Sequence, residues 1–364
     1  MHNLFSGVYK DKTVLVTGHT GFKGSWLVYW LNKMGAKVVG YSLEAPTTPN
    51  HIGLLNLDII SIIGDIRDLD KLNMTFAKYT PDIVFHLAAQ PLVRLSYENP
   101  IETYETNVMG TLKVLEACRA NGVKAIVNIT SDKAYENKEW IWGYRENDPM
   151  GGFDPYSSSK GCADLLVNSY RNSYFNIKNY KKTHNTLIAS CRAGNVIGGG
   201  DWAKDRLITD IMISVSNNKK VSIRNPYATR PWQHVLEPLS GYLQVGQKLL
   251  EEKIEFSDAW NFGPSDEGSI TVEEVVKNVI KHWDKIDYEI NRDPNQLHEA
   301  NLLKLDCSKA HILLKWNDIW DSEKTFEKTV KWYKVFYENS QVSTKDDLDS
   351  FINDAKNKRI EWAI

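Results

Sequence analysis

Residues 12–26 read KTVLVTGHTGFKGSW, in which a short β-branched run is followed by a glycine-rich turn and then by the start of a helix. Gly18, Gly21 and Gly24 lie in this turn. Glycines here permit a tight turn and a close approach of the backbone to a pyrophosphate, which then sits at the positive end of the helix. The position of the turn between a strand and a helix therefore predicts a dinucleotide-binding site.

The first half of the chain alternates β-branched runs with amphipathic stretches, a pattern typical of a parallel sheet covered by helices. Six strands joined by crossovers predict an α/β fold with a doubly wound, Rossmann-type parallel sheet. The predicted strands are Thr13–Thr17, Lys37–Tyr41, Ile59–Ile63, Ile83–Leu87, Ala125–Thr130 and Thr186–Arg192. The predicted helices are about Gly21–Met34, Leu69–Lys78, Ile101–Ala120 and Tyr156–Asn176.

The chain has 364 residues, and at about 150 residues per domain this length predicts two domains, or one large α/β unit with an appendage. We expect a dinucleotide-binding domain over residues 1–192 and a smaller α/β substrate-binding domain over 193–340, with about 228–263 returning to the first domain. Thr271 and Glu274 have the spacing of a capping box and predict a helix start in the second domain. Residues 341–364 predict a solvated C-terminal helix.

The composition excludes several classes of protein. With 42% hydrophobic and 25% charged residues the chain is not disordered, and a formal net charge of −2 gives no bulk attraction to nucleic acid or anionic lipid. The four cysteines form no metal-binding spacing or disulfide framework, and no signal peptide or membrane span is indicated. We therefore expect a cytoplasmic protein with no metal, nucleic-acid or membrane partner.

Tyr156 and Lys160 are four residues apart in YSSSK, so on a helix they share one face. A nearby cation, together with a positively charged nicotinamide, lowers the pKa of a phenol toward neutrality. The tyrosine then serves as a base for a sugar or steroid hydroxyl. This pair predicts a dehydrogenase-type active site.

Several stretches together resemble the extended short-chain dehydrogenase/reductase family, in its nucleotide-sugar epimerase and dehydratase branch. The resemblance covers about Phe5 to Trp316 and is carried by GHTGFKGSW, HLAAQPLVR, TSDKAYEN, DPYSSSK and RAGNVIGGGDW. It implies NAD as the cofactor. The cofactor residues that it implies are Gly18, His19, Gly21, Phe22, Lys23, Gly24, Asp65, Ile66, Leu87, Ala88, Ala89, Thr106, Tyr156 and Lys160.

One position departs from the usual dinucleotide-binding pattern. The acid expected about 20 residues after the glycine turn, where it would bind the ribose hydroxyls, is replaced by Tyr41 and Ser42, with Glu44 just beyond. The affinity for NAD, and the choice between NAD and NADP, are left open by this departure.

Ser131, Asp132 and Lys133 follow the fifth predicted strand and indicate the reaction. The resemblance implies that Ser131 binds the substrate hydroxyl. Nucleotide-sugar 4,6-dehydratases need a further acid and base, usually Asp-Glu, and here the pair is Asp-Lys. Lys133 as a base requires its pKa to fall through desolvation or a neighbouring cation. Within the family, Asp-Lys points to the branch that acts on CDP-glucose, on a bacterial route to dideoxy sugars.

The implied reaction is a net loss of water, catalysed by a lyase. Tyr156, aided by Ser131 and Lys160, takes the C4 hydroxyl proton while a hydride passes to NAD. Lys133 then removes the C5 proton, Asp132 protonates the departing C6 oxygen, and the hydride returns to C6. The substrate-binding residues that the resemblance implies are Gln90, Ser131, Asn195, Arg206, Leu207, Arg230 and Asn261. An arginine fork suits the diphosphate of such a substrate.

Other functions remain open from the sequence. A dTDP-glucose or GDP-mannose 4,6-dehydratase is one alternative, although these enzymes usually carry Asp-Glu where this chain has Asp132 and Lys133. A UDP-sugar 4-epimerase is another, and it would use Tyr156 and Ser131 without Asp132 or Lys133. A catalytically silent protein that senses the cofactor is a further alternative.

The family resemblance also implies a homodimer. Its interface would be formed by the helices Ile101–Ala120 and Tyr156–Asn176, with apolar residues such as Leu112, Leu165 and Val167 facing outward.

Overall fold

The computed structural model of the chain describes residues 1–223, 226–265, 269–291 and 302–364. The described strands are β1 Thr13–Thr17, β2 Lys37–Ser42, β3 Ile60–Ile63, β4 Ile83–His86, β5 Ala125–Ile129, β6 Leu187–Ala193, β7 Asn195–Ile197, β8 Val221–Ile223, β9 Thr229–His234, β10 Ala259–Phe262, β11 Ser269–Thr271 and β12 Tyr288–Ile290. Within the described ranges, seven of these strands form a central parallel sheet with the order β10-β6-β5-β4-β1-β2-β3.

The predicted Rossmann-type sheet is confirmed, and the strand order reverses between β1 and β4. In doubly wound folds, ligands bind outside the carboxyl ends of the strands at such a reversal. An ideal Cβ on Gly18, just after β1, would lie 2.7 Å from the amide nitrogen of Ala88, just after β4. The two strand ends therefore meet at the place where the sequence predicts the cofactor.

The seventh strand, β10, pairs with β6 and was not among the six strands predicted from the sequence. Its short run AWNF is buried along its whole length, so it shows no alternation of polar and apolar residues. Within the described residues, two small sheets of order β11-β9-β7 and β12-β8 lie outside the large one. The two-domain boundaries stay a prediction.

Helices cover the sheet. They are α1 Phe22–Lys33, α2 His51–Leu55, α3 Leu69–Tyr79, α4 Val93–Glu98, α5 Pro100–Tyr104, α6 Thr111–Ala120, α7 Pro155–Asn172, α8 Leu207–Ser216, α9 Leu236–Leu250, α10 Val272–Ile280, α11 Ser322–Asn339 and α12 Thr344–Asn357. The capping box at the start of α10 is present, with Thr271 and Glu274 bonded reciprocally. Among the described residues, no helix is long and apolar enough to span a bilayer.

The helix predicted over Ile101–Ala120 is divided in the structure. A π-helical turn, Glu105–Gly110, separates α5 from α6. Gly110 closes this turn against Ile66, whose side chain would lie 2.5 Å from a Cβ on Gly110. The turn also buries Asn107, whose hydrogen bonds are described below.

The prediction that Val167 is one of the apolar residues facing outward is wrong. Val167 is fully buried in the core, because it lies on the face of α7 that packs against the sheet together with Ala163 and Tyr170. Leu165 is 55% exposed, and Leu112 is half-buried.

The prediction of a solvated C-terminal helix is also wrong. Residues 344–357 do form a helix, but Leu348, Phe351, Ile352 and Ala355 are buried. Their spacing forms an apolar face along α12. Phe351 packs edge-on against the ring of Trp30 in α1, with 5.9 Å between ring centroids. The tail is therefore part of the core behind the glycine turn.

Candidate active site

The glycine turn has the geometry that its sequence predicts. Gly18 has a φ of 75°, and its amide donates to the carbonyl of Tyr41 at 2.9 Å. A Cβ on Gly24 would lie 2.1 Å from the carbonyl oxygen of Gly18, so a side chain does not fit there. The turn leads directly into the N-terminus of α1, where the first amides have no partners within the helix. These are the features that receive a pyrophosphate.

A cavity of about 780 Å³ opens beside this turn at the carboxyl ends of the strands. This volume lies within the usual range of small-molecule sites, about 300–1,000 Å³. Most residues predicted to bind cofactor or substrate line it. They are Gly18, Gly21, Phe22, Lys23, Gly24, Asp65, Ile66, Leu87, Ala88, Ala89, Gln90, Thr106, Ser131, Asp132, Lys133, Tyr156, Lys160, Asn195, Arg206 and Leu207.

His19 is an exception, because its side chain lies beneath the turn and not in the cavity. Its ring is fully buried and Nε2 is 2.8 Å from the hydroxyl oxygen of Ser61. The ring packs on Gly40, where a Cβ would lie 2.3 Å from it. The side chain of His19 therefore supports the turn from below. A contact of this residue with the cofactor stays a prediction.

Asp65 lines the cavity, but its carboxylate is paired with Arg67. The guanidinium donates to Oδ1 at 3.1 Å and to Oδ2 at 2.7 Å. Burial acts to raise the pKa of Asp65, yet the hydrogen bonds and charge of Arg67 outweigh it and hold the pKa below its usual value. Tyr41 donates its hydroxyl to the backbone carbonyl of Asp65 at 2.9 Å, so it supports this corner from the position where an acid was expected. Arg67 also lines the cavity and was not predicted from the sequence.

Tyr156 and Lys160 lie on one face of α7, and both are buried at the cavity wall. Asp154 caps this helix by accepting from the amide of Ser157 at 2.9 Å. Burial lowers the pKa of Lys160 to about 8. Burial also raises the pKa of Tyr156 to about 12, while Ser131 and Arg206 act in the opposite direction. In the chain itself, burial therefore determines the pKa of Tyr156. The lowering expected from the sequence assumed the positive charge of a nicotinamide in addition to that of Lys160.

Ser131, Asp132 and Lys133 leave the end of β5 and line the same wall. The Ser131 hydroxyl donates to Oδ1 of Asp132 at 2.9 Å, and the amide of Lys133 donates to the Ser131 oxygen at 3.3 Å. Burial raises the pKa of Asp132, and the charges of Lys133 and Lys23 oppose that rise. A buried carboxyl with a raised pKa is suited to give up a proton as an acid.

Asn107, in the π-helical turn, links two walls of the site and was not predicted. Its Oδ1 accepts from the amide of Gln90 at 2.8 Å, and its Nδ2 donates to the hydroxyl of Ser159 at 2.8 Å. Ser159 in turn donates to the carbonyl of Tyr156 at 2.7 Å. The side-chain amide of Gln90 is itself held by Thr103 at 3.0 Å. The strand end after β4 is thus tied to the catalytic helix.

Cations converge on the substrate side of the cavity. Arg206, at the N-terminus of α8, donates to Oδ2 of Asp201 at 2.6 Å. Burial, together with the charges of Arg206 and Lys160, lowers the pKa of Lys23 to about 7. Lys23 therefore lies close to Arg206, Lys160 and Asp132, and the three basic side chains line one cavity.

Two predicted substrate residues are not placed in the cavity by the described structure. Asn261 is fully buried behind it: its amide donates to the carbonyl of Tyr144 at 2.8 Å and its Oδ1 accepts from the hydroxyl of Tyr135 at 2.8 Å. Since β10 is covered by the loop that carries these tyrosines, the expectation that Asn261 binds the substrate in the cavity is corrected. Arg230 lies in β9, and its side chain is outside the part of the chain that the structure describes.

The family of the protein follows from this arrangement and from a comparison of sequences. The sequence model of the family described as GDP-mannose 4,6 dehydratase matches residues 15–330, which include every predicted catalytic residue. This chain belongs to the GDP-mannose 4,6-dehydratase family. Within that family, the chain is 55% identical over 350 residues to a CDP-glucose 4,6-dehydratase of Salmonella typhimurium, covering 95% of this chain and 97% of the relative.

Three further proteins are more distantly similar to this chain, one in sequence and two in structure. A dTDP-D-glucose 4,6-dehydratase of Dictyostelium discoideum is 28% identical, covering 73% of this chain and 61% of the relative. An epimerase structure from Methanothermobacter thermautotrophicus superposes with a TM-score of 0.78 at 26% identity, covering 91% of this chain and 94% of that one. A dTDP-glucose 4,6-dehydratase of Streptomyces venezuelae, solved with NAD and TYD bound, gives 0.75 at 22% identity, covering 88% and 97%.

Proposed function

We propose that this chain is an NAD-dependent hydro-lyase that converts CDP-D-glucose to CDP-4-dehydro-6-deoxy-D-glucose. The observation that carries the proposal is the presence of Asp132 and Lys133 on the same cavity wall as Ser131, Tyr156 and Lys160. Oxidation at C4 alone would need only the last three residues. A further acid and base are what the elimination of water requires. The name of the Salmonella typhimurium relative supports CDP-glucose as the substrate.

The glycine turn and the cavity fit NAD. Gly18 and Gly24 leave the approach to α1 free of side chains, and the cavity continues past Asp65 and Ile66, where the adenosine end would lie. Leu87, Ala88, Ala89 and Thr106 would line the ribose and phosphates between the two ends. When bound, NAD supplies the oxidation at C4 and the return of the same hydride at C6.

The residues of the chain move the protons. Tyr156 accepts the proton of the C4 hydroxyl, which Ser131 orients through a hydrogen bond. Lys160 stabilises the phenolate of Tyr156 as it forms, since its ammonium lies on the same face of α7. The C4 ketone then makes the C5 proton acidic.

The elimination falls to the Asp-Lys pair. Lys133 removes the C5 proton, and Asp132 gives a proton to the C6 oxygen, which leaves as water. Burial of Asp132 favours its protonated form before this step. After the hydride returns to C6, C5 regains a proton and the 4-keto-6-deoxy sugar is complete.

The charged groups of the cavity bind the diphosphate of the sugar nucleotide in this proposal. Arg206 and Lys23 lie on its wall and Asp201 fixes the orientation of Arg206. Asn195, Leu207 and Gln90 line the adjoining surface. Arg230 remains a proposed partner of the diphosphate.

The experiment is to incubate the chain with NAD and, separately, with CDP-glucose, dTDP-glucose, UDP-glucose and GDP-mannose. The 4-keto-6-deoxy product should form fastest from CDP-glucose. Faster turnover of another nucleotide would reassign the substrate, a 4-epimer in place of the keto sugar would favour an epimerase, and failure with all four would favour a silent protein that only senses NAD.

The other parts of the proposal concern assembly and setting. We infer a homodimer through the surface of α5, the π-helical turn and α7, where Ile101, Met109 and Leu165 are exposed. Sedimentation should give a dimer at micromolar concentration, and Leu165→Asp should shift it toward monomer. A monomeric parent chain would contradict the dimer.

We also propose that the protein works in the cytoplasm in the biosynthesis of dideoxy sugars for lipopolysaccharide O-antigen. Within the chain, residues 1–192 would form the cofactor domain, joined by parts of 228–263, and 193–340 the substrate domain. A bacterial deletion strain that keeps its dideoxy sugars would contradict the biosynthetic assignment.

A further inference from the structure

A chain of hydrogen bonds connects the C-terminal tail to the cofactor turn. Thr344 is the first residue of α12, and its hydroxyl lies 2.8 Å from Nε2 of His51. Nδ1 of His51 lies 2.8 Å from the hydroxyl of Ser25. Ser25 belongs to the first turn of α1, directly after Gly24, and donates to the carbonyl of Phe22 at 2.8 Å. The tail thus reaches the glycine turn through two buried side chains.

Each hydrogen bond in this series can run in only one direction. Ser25 uses its single proton on Phe22, so it accepts from Nδ1–H of His51. Nε2 is then an acceptor, and the Thr344 hydroxyl donates to it. The Thr344 oxygen accepts in turn from Nε1–H of Trp332 at 3.0 Å. All partners are buried, so the loss of one hydroxyl leaves both Nε2 of His51 and Nε1 of Trp332 unpaired.

The rings of Trp26, His51 and Trp332 form a junction between the tail and the start of α1. This junction also packs against the substrate side of the cavity. Trp26 donates from Nε1 to the carbonyl of Gly199 at 2.9 Å. A Cβ on Gly199 would lie 2.0 Å from the ring of Trp332, and one on Gly200 would lie 2.6 Å from the ring of His51. These glycines come between β7 and Asp201, the partner of Arg206. The junction is thus packed tightly against both the cofactor turn and the substrate loop.

We propose that Thr344 and His51 are positioning residues that hold the first turn of α1 in the conformation that binds NAD. The proposal rests on the proposed function, since it assumes that NAD binds at this turn. It gives a role to a C-terminal segment that lies beyond the residues matched by the family model. In this proposal the hydroxyl of Thr344, and not only the packing of the tail, stabilises the first turn of α1.

The test compares three variants by the dissociation constant of NAD, measured by calorimetry on the full chain. Thr344→Val keeps the shape of the side chain and removes the hydroxyl, and it should weaken NAD binding about threefold to tenfold, the effect of losing a buried hydrogen bond. Thr344→Ser restores the hydroxyl and should bind NAD as the parent does. Thr325→Val is the matched control, because Thr325 is equally buried in α11 and its hydroxyl has no partner among the described residues.

A second measurement needs no variant. Because coupling between two sites is reciprocal, NAD should slow amide hydrogen exchange at the start of α12 in the parent chain. Unchanged exchange there, an unchanged dissociation constant in Thr344→Val, or equal weakening in Thr344→Ser or Thr325→Val would each overturn the inference. A parent chain that does not bind NAD would instead overturn the proposed function.

Discussion

The hydroxyl of Ser131 donates to Oδ1 of Asp132 across 2.9 Å, at the wall of the cavity that also carries Tyr156. Ser131, proposed to orient the C4 hydroxyl, is therefore hydrogen-bonded to Asp132, the acid proposed to protonate the C6 oxygen. Oxidation and elimination depend on neighbouring atoms of one short segment. Separate substitutions should nevertheless distinguish the two steps.

Asp132→Asn should stop the elimination and leave the oxidation. The amide still accepts from Ser131 but has no acidic proton for the C6 oxygen, so product formation should fall by at least about 100-fold, the usual scale of acid–base catalysis. Absorbance of reduced cofactor, with enzyme and substrate at comparable concentrations, should still report C4 oxidation. Asp58→Asn, at an exposed position, is the control. Normal product formation by Asp132→Asn would show that another group is the acid.

Lys133→Met should block removal of the C5 proton. Methionine keeps the length of the side chain but cannot accept a proton, so turnover in deuterated water should place no deuterium at C5 of recovered sugar. C4 oxidation should persist in this variant. Lys138→Met, with a side chain 49% exposed, should behave as the parent does. Deuterium at C5 in Lys133→Met would assign the base elsewhere.

The pH dependence of kcat/KM should reflect Lys160. Burial lowers its pKa to about 8 in the free chain, so its ammonium is present below that pH and is lost above it. Since the ammonium stabilises the phenolate of Tyr156, kcat/KM should fall as the pH rises past about 8. Lys160→Met should have a much lower kcat/KM at every pH, and its kcat/KM should not fall further as the pH rises past about 8. The same fall in Lys160→Met would assign the titration to another group.

Glu237 should make the stability of the chain depend on pH. It is buried at the start of α9, where it accepts from the amides of Ile319 and Trp320, and burial raises its pKa to about 8. Because the folded pKa exceeds the unfolded one, its contribution to stability is full below about pH 4.5 and is lost as the pH rises to about 8. Urea unfolding at pH 6 and pH 8.5 should show a smaller loss of stability in Glu237→Gln than in the parent. Equal losses would contradict this role.

The features that could be predicted from the sequence are local ones. The run KTVLVT and the three glycines that follow it specify a strand, a turn and a helix start within 15 residues. Tyr156 and Lys160 meet because a helix brings residues four apart to one face. Both inferences need only backbone geometry. The same holds for the capping box of Thr271 and Glu274.

The features that could not be predicted depend on contacts between distant segments. Asn261 lies in β10, and only its contacts with the loop around Tyr144 show that it is covered. Val167 and Leu165 are two apolar residues on one helix, and their sequence does not say which face meets the sheet. The bond between His51 and Thr344 joins residues 293 positions apart. The π-helical turn that buries Asn107 has no pattern that distinguishes it from an ordinary helix.

The most direct test of the central claim follows the hydrogen at C4. CDP-glucose carrying deuterium at C4 should give a 4-keto-6-deoxy product with that deuterium at C6, while the total amount of NAD stays constant. This result requires oxidation, elimination and return of the hydride within one active site. Deuterium retained at C4 of a sugar that keeps its C6 hydroxyl, or deuterium released into reduced cofactor, would contradict the proposed dehydratase.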